Sequence, residues 1–462
     1  MLAATAWSYL NSGDNAWQLT AATFVGLMSV PGLVVLYGGV MQKRWSVNSM
    51  MLAFVAFAII LVEWVLYGFK MGFGNPWHGL SHSGFLGNFI GQPGSSLGHH
   101  DLQGQGDIPA LGSAGSLTFP QSSLVYFQFV FAGITPILML GSVLGRVNFK
   151  AWIPFTLLWG SCVYTINAFL LWGGGWFAQK GAVDFSGGYV IHLSAGISGF
   201  IAAWVIGPRL ARDREVDAPN NLAMVAVGAG LLWLGWNGFN GGDPYNAGAD
   251  AATAVLNTNL ATAVAFLTWV GCDYATKRKP SLIGSVNGMI VGLVAITPAA
   301  GFVNGWGAMI IGVVASILVY VVYNYLALLR PFRSVDDTLG VIYTHGFAGL
   351  FGGLLTGLLA DSAIQVVPGF SVTGSLHLLK WQALAGLWVI VFSGAATFVI
   401  LKVVGLFVPL RMSEEDMETG DLAVHGHEVY PSDIPSLAFP HGFPAEVTPS
   451  VAGGGVAPSP SA

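Results

Sequence analysis

The chain has 462 residues, of which 54% are hydrophobic and only 8% charged. An average soluble domain carries about 25% charged residues, so this composition cannot cover a water-facing surface and specifies a polytopic membrane protein. The formal net charge of −5 excludes the basic footprint of a nucleic-acid binder.

The stretch Met1–Trp17 lacks a basic start and a continuous apolar core, so no cleavable signal peptide is expected. Beyond it, runs of about 20 apolar residues mark membrane-spanning helices. Eleven such runs occur, at 18–40, 48–69, 121–144, 151–172, 187–207, 222–241, 251–271, 281–299, 305–329, 338–359 and 381–408. The 63 glycines suit a tight bundle, because small residues let membrane helices approach closely. Cys162 and Cys272 lie in or at the end of apolar runs and give neither a disulfide framework nor a metal-ligand spacing.

An odd number of spans puts the termini on opposite sides. Fourteen of the 17 Lys and Arg then fall on one side, leaving only Lys70, Lys180 and Lys380 on the other. The positive-inside rule places the C-terminus in the cytoplasm and the N-terminus outside. The outside loop 70–120 is long and rich in Gly, Ser and His. His78, His82, His99 and His100 are irregularly spaced there, which favours a solvated loop over a metal site. Residues 431–462 are rich in Pro, Gly, Ser and Ala and read as a disordered tail.

The costly residues are few. His192 and His345 sit inside apolar runs, whereas the other eight histidines fall in loops or the tail. An intramembrane ionisable group marks a functional site by default. The bland alternative is a pair of core histidines bonded to backbone carbonyls. Helices one to five and six to ten form two halves. An odd number of spans per half inverts the second half, and each histidine lies in the fifth helix of its own half. Inverted repeats place their site near the midplane, which makes the two histidines a facing pair. Glu63, near the outer end of the second span, must snorkel or pair with a neighbour.

Aromatics cluster at the outer helix ends. Phe127 and Phe131 open the third span, Trp172 closes the fourth, and Trp236-Asn-Gly-Phe239-Asn240-Gly-Gly-Asp243 closes the sixth. Aromatic faces attract desolvated cations, and a carboxylate adds direct charge. An interfacial aromatic belt would look similar for any single residue. Asp184 precedes the fifth span, where an acid caps helix N–H groups.

Together these motifs resemble the ammonium transporter (Amt/Mep/Rh) family, Amt branch, over residues 16–430. The resemblance rests on Val30-Pro-Gly-Leu-Val-Val-Leu-Tyr-Gly-Gly39, Trp172-Gly-Gly-Gly and Asp184-Phe-Ser-Gly-Gly-Tyr-Val-Ile-His192. Further matches are Gly235-Trp-Asn-Gly-Phe-Asn240, Thr297-Pro-Ala-Ala-Gly301, Asp336-Asp337, His345-Gly, and the tail from Arg411 through Gly420-Asp421 to Tyr430. It implies an all-α fold of eleven helices, as two inverted five-helix repeats plus a final helix, assembled as a homotrimer with one pore per subunit. By motif position it implies an external cage at Phe127, Trp172 and Asp243, and a gate at Phe131 and Phe239. The pore residues are His192, His345 and Trp236, with Asp184 and Asn240 at the entrance. Residues 1–410 form the channel, and 411–430, with Gly420 and Asp421, a regulatory tail that meets PII-type proteins. No cofactor, metal or catalytic residue is implied; the partners are ammonium or ammonia and the lipid bilayer. Asp243 departs from the family, many members of which have serine there. A haem protein with histidine axial ligands, a Rh-type gas channel and an ammonium sensor are the competing classes.

Overall fold

The computed structural model describes residues 7–78, 84–215, 218–367 and 370–430. His82 and the segment 431–462 therefore lie outside the described residues. Ten helices among the described residues are long and apolar enough to cross a membrane, and an eleventh apolar helix is shorter. In chain order they are α1 (Ser12–Val40), α2 (Lys43–Phe73), α3 (Gln121–Leu140), α4 (Phe149–Gln179), α5 (Gly188–Ile206) and α6 (Leu222–Gly241). They continue with α7 (Ala249–Lys277), α8 (Leu282–Ile296), α9 (Gly305–Leu328), α10 (Ile342–Leu359) and α11 (Leu376–Val404).

These helices occupy the eleven expected positions. The eighth is shorter than its apolar run of 281–299 and stops at Ile296. Pro298 has no N–H to give the Val294 carbonyl, so the helix cannot run through it. Conversely, α7 continues to Lys277, past the end of its apolar run at 271. Helical hydrogen bonding outlasts the hydropathy there. Polar side chains fix several helix starts by accepting the otherwise unpaired first N–H groups. Asn11 caps α1, Asn221 caps α6, Ser281 caps α8, Asn304 caps α9 and Ser375 caps α11.

The helix α3 runs through the middle, with 94% of its apolar window buried. Against it pack α1, α2 and α5. The two halves meet where α5 crosses α10. A side chain at Gly196 would put its first carbon 2.5 Å from Gly346 Cα, and one at Gly349 would meet the Gly188 carbonyl at 2.4 Å. These reciprocal glycines each lie four residues beyond a histidine of the pair, as an inverted repeat requires. The repeat extends further. Asp184 and Asp337 each precede their histidine by eight residues and each accept N–H groups at the start of the histidine-bearing helix. Both histidines sit in π-helical turns, Gly188–Leu193 and Ile342–Phe347. Such turns concentrate at functional positions because they re-aim side chains.

Glu63 is buried within α2 and bonds the Ser161 hydroxyl of α4 at 3.2 Å. It pairs rather than snorkels. The loop after α2 carries a short helix, His99–Gln103, and an antiparallel pair of strands, Gln105–Asp107 and Ser116–Pro120. It folds back on the protein: a side chain at Gly174 would strike Ala110, and one at Gly175 would meet the Asn88 carbonyl. No group of three or more His, Cys, Asp or Glu that could hold a metal occurs among the described residues.

The opposite end is basic and tightly tied. Arg146 is fully buried, and its guanidinium donates to the Gly207 carbonyl at 2.8 Å, to Thr338 Oγ1 at 2.5 Å and to the Asp336 carbonyl. Arg209 holds the Asp336 carboxylate through Nη2 at 2.9 Å and Nε at 3.1 Å. Burial pulls the Asp336 carboxyl upward, but the Arg209 bonds and the Arg146 and Arg209 charges outweigh it. They hold it below the ordinary carboxylate range.

Candidate functional site

One line of aromatic rings leads from the Trp172 end to the two histidines. Phe127 and Phe131 lie one turn apart on α3, with centroids 4.8 Å apart. Phe131 meets Trp172 at 6.3 Å, edge to face, and Phe239 of α6 at 4.3 Å. Phe131 and Phe239 are both fully buried and close the line between them. Beyond them His192 stacks on Phe239 at 5.9 Å and on Trp236 at 5.3 Å. His192 Nδ1 then meets His345 Nδ1 at 3.3 Å. Of the cage, gate and pore residues read from the sequence, only Asp243 stands outside this line.

Each ring is fixed by a bond or a stack at its back. Trp172 Nε1 donates to the Asp184 carbonyl at 2.6 Å, and Phe73 of α2 stacks on the same indole at 6.3 Å and 22°. Gly173 is required here, because a side chain on it would lie 2.1 Å from the Gly72 carbonyl. Trp236 Nε1 donates to Thr297 Oγ1 at 2.9 Å, which ties α6 to the end of α8. Pre-set rings have little freedom left to lose.

Asp184 accepts four backbone N–H bonds. Oδ1 takes Gly187 and Gly188 at 3.2 and 2.7 Å, and Oδ2 takes Tyr189 and Val190 at 2.9 and 3.0 Å. It is buried, and its lone pairs point at the start of α5. That is a structural cap. Asn240 donates to Thr258 Oγ1 at 2.8 Å and so joins α6 to α7. Asp243 contacts the Ser186 hydroxyl, which also donates to the Phe239 carbonyl at 2.9 Å. Gly242 beside it packs on the Phe127 ring.

Three participants escaped the reading of the sequence. Tyr245 meets Phe127 at 6.1 Å, and its hydroxyl accepts from Gln128 Nε2 at 2.7 Å. Phe73 supports Trp172, and Ser186 bridges Phe239 and Asp243. Ser186 lies within the quoted Asp184–His192 motif, so a signal for it existed. Phe73 is one aromatic among many and carried none.

On the far side of His345 a cavity runs to the basic end. Its wall is mostly apolar, with Leu33, Leu36, Val40, Leu138, Leu232, Val286 and Ile290, and with Tyr37, Asn287, Thr344 and His345 as polar points. Rings, histidines and cavity thus follow one another within one chain.

Residues 16–430 match the model of the Ammonium Transporter Family. Ammonium transporter 2 of Arabidopsis thaliana is 47% identical over 435 residues, covering 91% of this chain and 89% of its own length. The chain belongs to the Ammonium Transporter Family. A rice family member, Ammonium transporter 2 member 1, is also 47% identical, over 91% of this chain and 87% of its own. The family fold matches the crystal structure of Saccharomyces cerevisiae Mep2 with a TM-score of 0.76 at 29% identity, covering 88% of this chain and 89% of that one. A solved "Sensor Amt Protein" matches with a TM-score of 0.76 at 25% identity, over 88% of this chain and 96% of that one. Family members are transporters rather than enzymes, and this chain is a multi-pass membrane protein of that kind.

The segment after Arg411 folds back on the basic end through two short helices, α12 (Glu414–Thr419) and α13 (Asp421–His425). Asp421 is buried and accepts the Val47 and Asn48 N–H groups at 2.8 Å each. Gly420 has φ +80°, and a side chain there would lie 2.4 Å from the Arg44 carbonyl. Only glycine fits both the backbone and the space. Replacing Asp421 by alanine strands two buried amides, at a cost of about 2 kcal/mol or more. Trypsin should then cut at Arg411 at least about tenfold faster, since cleavage follows the undocked population. An unchanged rate would mean that other contacts hold the tail.

Proposed function

We propose that this protein moves ammonium or ammonia across the cell membrane through a pore within each subunit, with its N-terminus outside and its C-terminus in the cytoplasm. Residues 1–410 are the channel and 411–430 its cytoplasmic regulatory tail. The observation that carries the reading is the Nδ1-to-Nδ1 contact of two buried histidines, placed between a closed phenylalanine pair and an apolar cavity.

Ammonium and potassium have the same charge and similar size. A pore lined by rings and aliphatic groups gives a cation no substitute for its water, so a bare cation meets a heavy desolvation barrier. Ammonium escapes that barrier by giving up a proton; potassium cannot. Phe127, Trp172 and Asp243 capture the cation by ring-face attraction and charge. Phe131 and Phe239 exclude its water.

The histidine contact sets the proton arrangement. A neutral imidazole has one donor and one acceptor nitrogen. A bond between two Nδ1 atoms therefore leaves one histidine with an accepting Nε2 and the other with a donating Nε2. Such a pair can hydrogen-bond ammonia or pass a proton along. Trp236 packs on His192 and holds its ring in place.

The assembly is a homotrimer, and the docked tail is the surface that meets PII-type regulators. A transporter that also reports ammonium is a second reading, favoured by the likeness to the solved "Sensor Amt Protein". A Rh-type gas channel fits less well, because the Arg411–Tyr430 segment follows the Amt pattern. Purified protein in liposomes should take up ammonium or methylammonium. No uptake above that of empty liposomes would overturn the proposal.

A further inference from the structure

We infer that Asp243 is the group that takes the proton from ammonium at the mouth of the gate, with Ser186 holding the protonated carboxyl. This inference rests on the transport reading above and deepens it. The reaction is a single transfer: one N–H bond of ammonium breaks, one O–H bond forms on the Asp243 carboxylate, and neutral ammonia is left facing Phe239.

Ser186 Oγ lies within bonding distance of two acceptors, the Phe239 carbonyl at 2.9 Å and the Asp243 carboxylate. A hydroxyl has one hydrogen and cannot satisfy both. With Asp243 ionised, one of the two contacts lacks its proton. With Asp243 protonated, the carboxyl O–H donates to Ser186 Oγ, and Ser186 donates to the Phe239 carbonyl. Every contact in that chain is then a hydrogen bond. The arrangement is therefore built to hold the extra proton.

Asp184 is the obvious competitor and is already committed. Its two oxygens accept four backbone N–H bonds at the start of α5. A proton placed there would disrupt that cap. Asp243, by contrast, is only half-buried and has the Ser186 hydroxyl as its side-chain partner. It follows α6 directly, four residues after the gate ring Phe239 and next to Gly242, which lies on the Phe127 ring.

The surroundings raise its proton affinity. Desolvation pushes the Asp243 carboxyl well above its ordinary range; the Ser186 contact opposes this and the nearby Asp184 carboxylate adds to it. The other titratable groups that sense this site are the phenols of Tyr164 and Tyr245. A raised carboxyl narrows the gap to the proton affinity of ammonia, which makes transfer less uphill.

The test uses full-length protein in proteoliposomes, with transport driven by an ammonium gradient and read as initial rates between pH 5 and 8. Asp243→Asn and Asp243→Ser should lower the maximal rate at least about tenfold, as loss of a positioned proton acceptor does. The concentration giving half-maximal rate should change much less. The wild-type rate should fall on the acid side as Asp243 fills with protons, and Asp243→Ser should lack that limb. Asp243→Glu should restore part of the rate and the limb. Variants are compared only when they elute as wild type on size exclusion. An unchanged maximal rate, or a change confined to the half-maximal concentration, would overturn the inference and leave Asp243 a cation ligand at most. His192→Ala, run alongside, tests the underlying reading separately: a normal, selective flux from it would defeat the pore and not merely the proton acceptor.

Discussion

Alanine at His192 or His345 abolishes ammonium flux or ends its discrimination against potassium. Either substitution removes one partner of the 3.3 Å Nδ1 contact, and the His192 variant also opens space beside the rings of Phe239 and Trp236. If the pair relays protons, flux falls by about a hundredfold or more, the scale on which positioned acid–base groups act. If water fills the space, hydrated cations pass and potassium flux appears. Both outcomes are read in the same proteoliposomes with ammonium and potassium gradients. Wild-type flux with wild-type selectivity in both single variants would reduce the histidines to packing.

The second large effect is on stability. Asp184→Ala leaves four buried N–H groups at the head of α5 without their acceptor. An unsatisfied buried donor costs about 1–3 kcal/mol. The loss is then about 4 kcal/mol or more, a large fraction of a typical folding free energy. The variant should be recovered in low yield, with a thermal midpoint in detergent well below that of wild type. A normal midpoint with lost transport would assign Asp184 to the substrate instead of the helix. Asp337, its counterpart before α10, accepts the Ile342 N–H at 2.9 Å and should respond in the same direction.

How far the residues foretell this arrangement depends on the physics each one reports. The spans were legible because a bilayer demands long apolar runs and nothing local competes with that demand. The end of α8 was not, because apolar residues continue past Pro298 while the hydrogen bonds do not. His192 and His345 stood out by cost alone, and the inverted halves supplied their pairing. The reciprocal glycines Gly196 and Gly349 carried no such signal, since glycines are abundant throughout and only the crossing of α5 and α10 singles them out. Contacts between distant loops were silent as well. Nothing in the chain announces that Phe73 backs Trp172, that Gln128 reaches Tyr245, or that Ser186 stands between Phe239 and Asp243. Each depends on two segments that meet only once the helices have packed.

Glu63 shows the same limit from the other side. Its cost inside α2 was plain, but its partner, Ser161, lies on α4 at a π-helical turn that apolar sequence does not mark. Intramembrane acids are visible one at a time, whereas their partners are set by tertiary structure.

The most direct test of the central claim is the ratio of ammonium to potassium flux through wild-type protein in the same proteoliposomes. A pore that passes its substrate by shedding a proton and water before it crosses the gate of Phe131 and Phe239 should carry ammonium with no potassium flux above that of protein-free vesicles. Potassium flux of similar size would contradict the account, because it would mean that an intact cation crosses the gate.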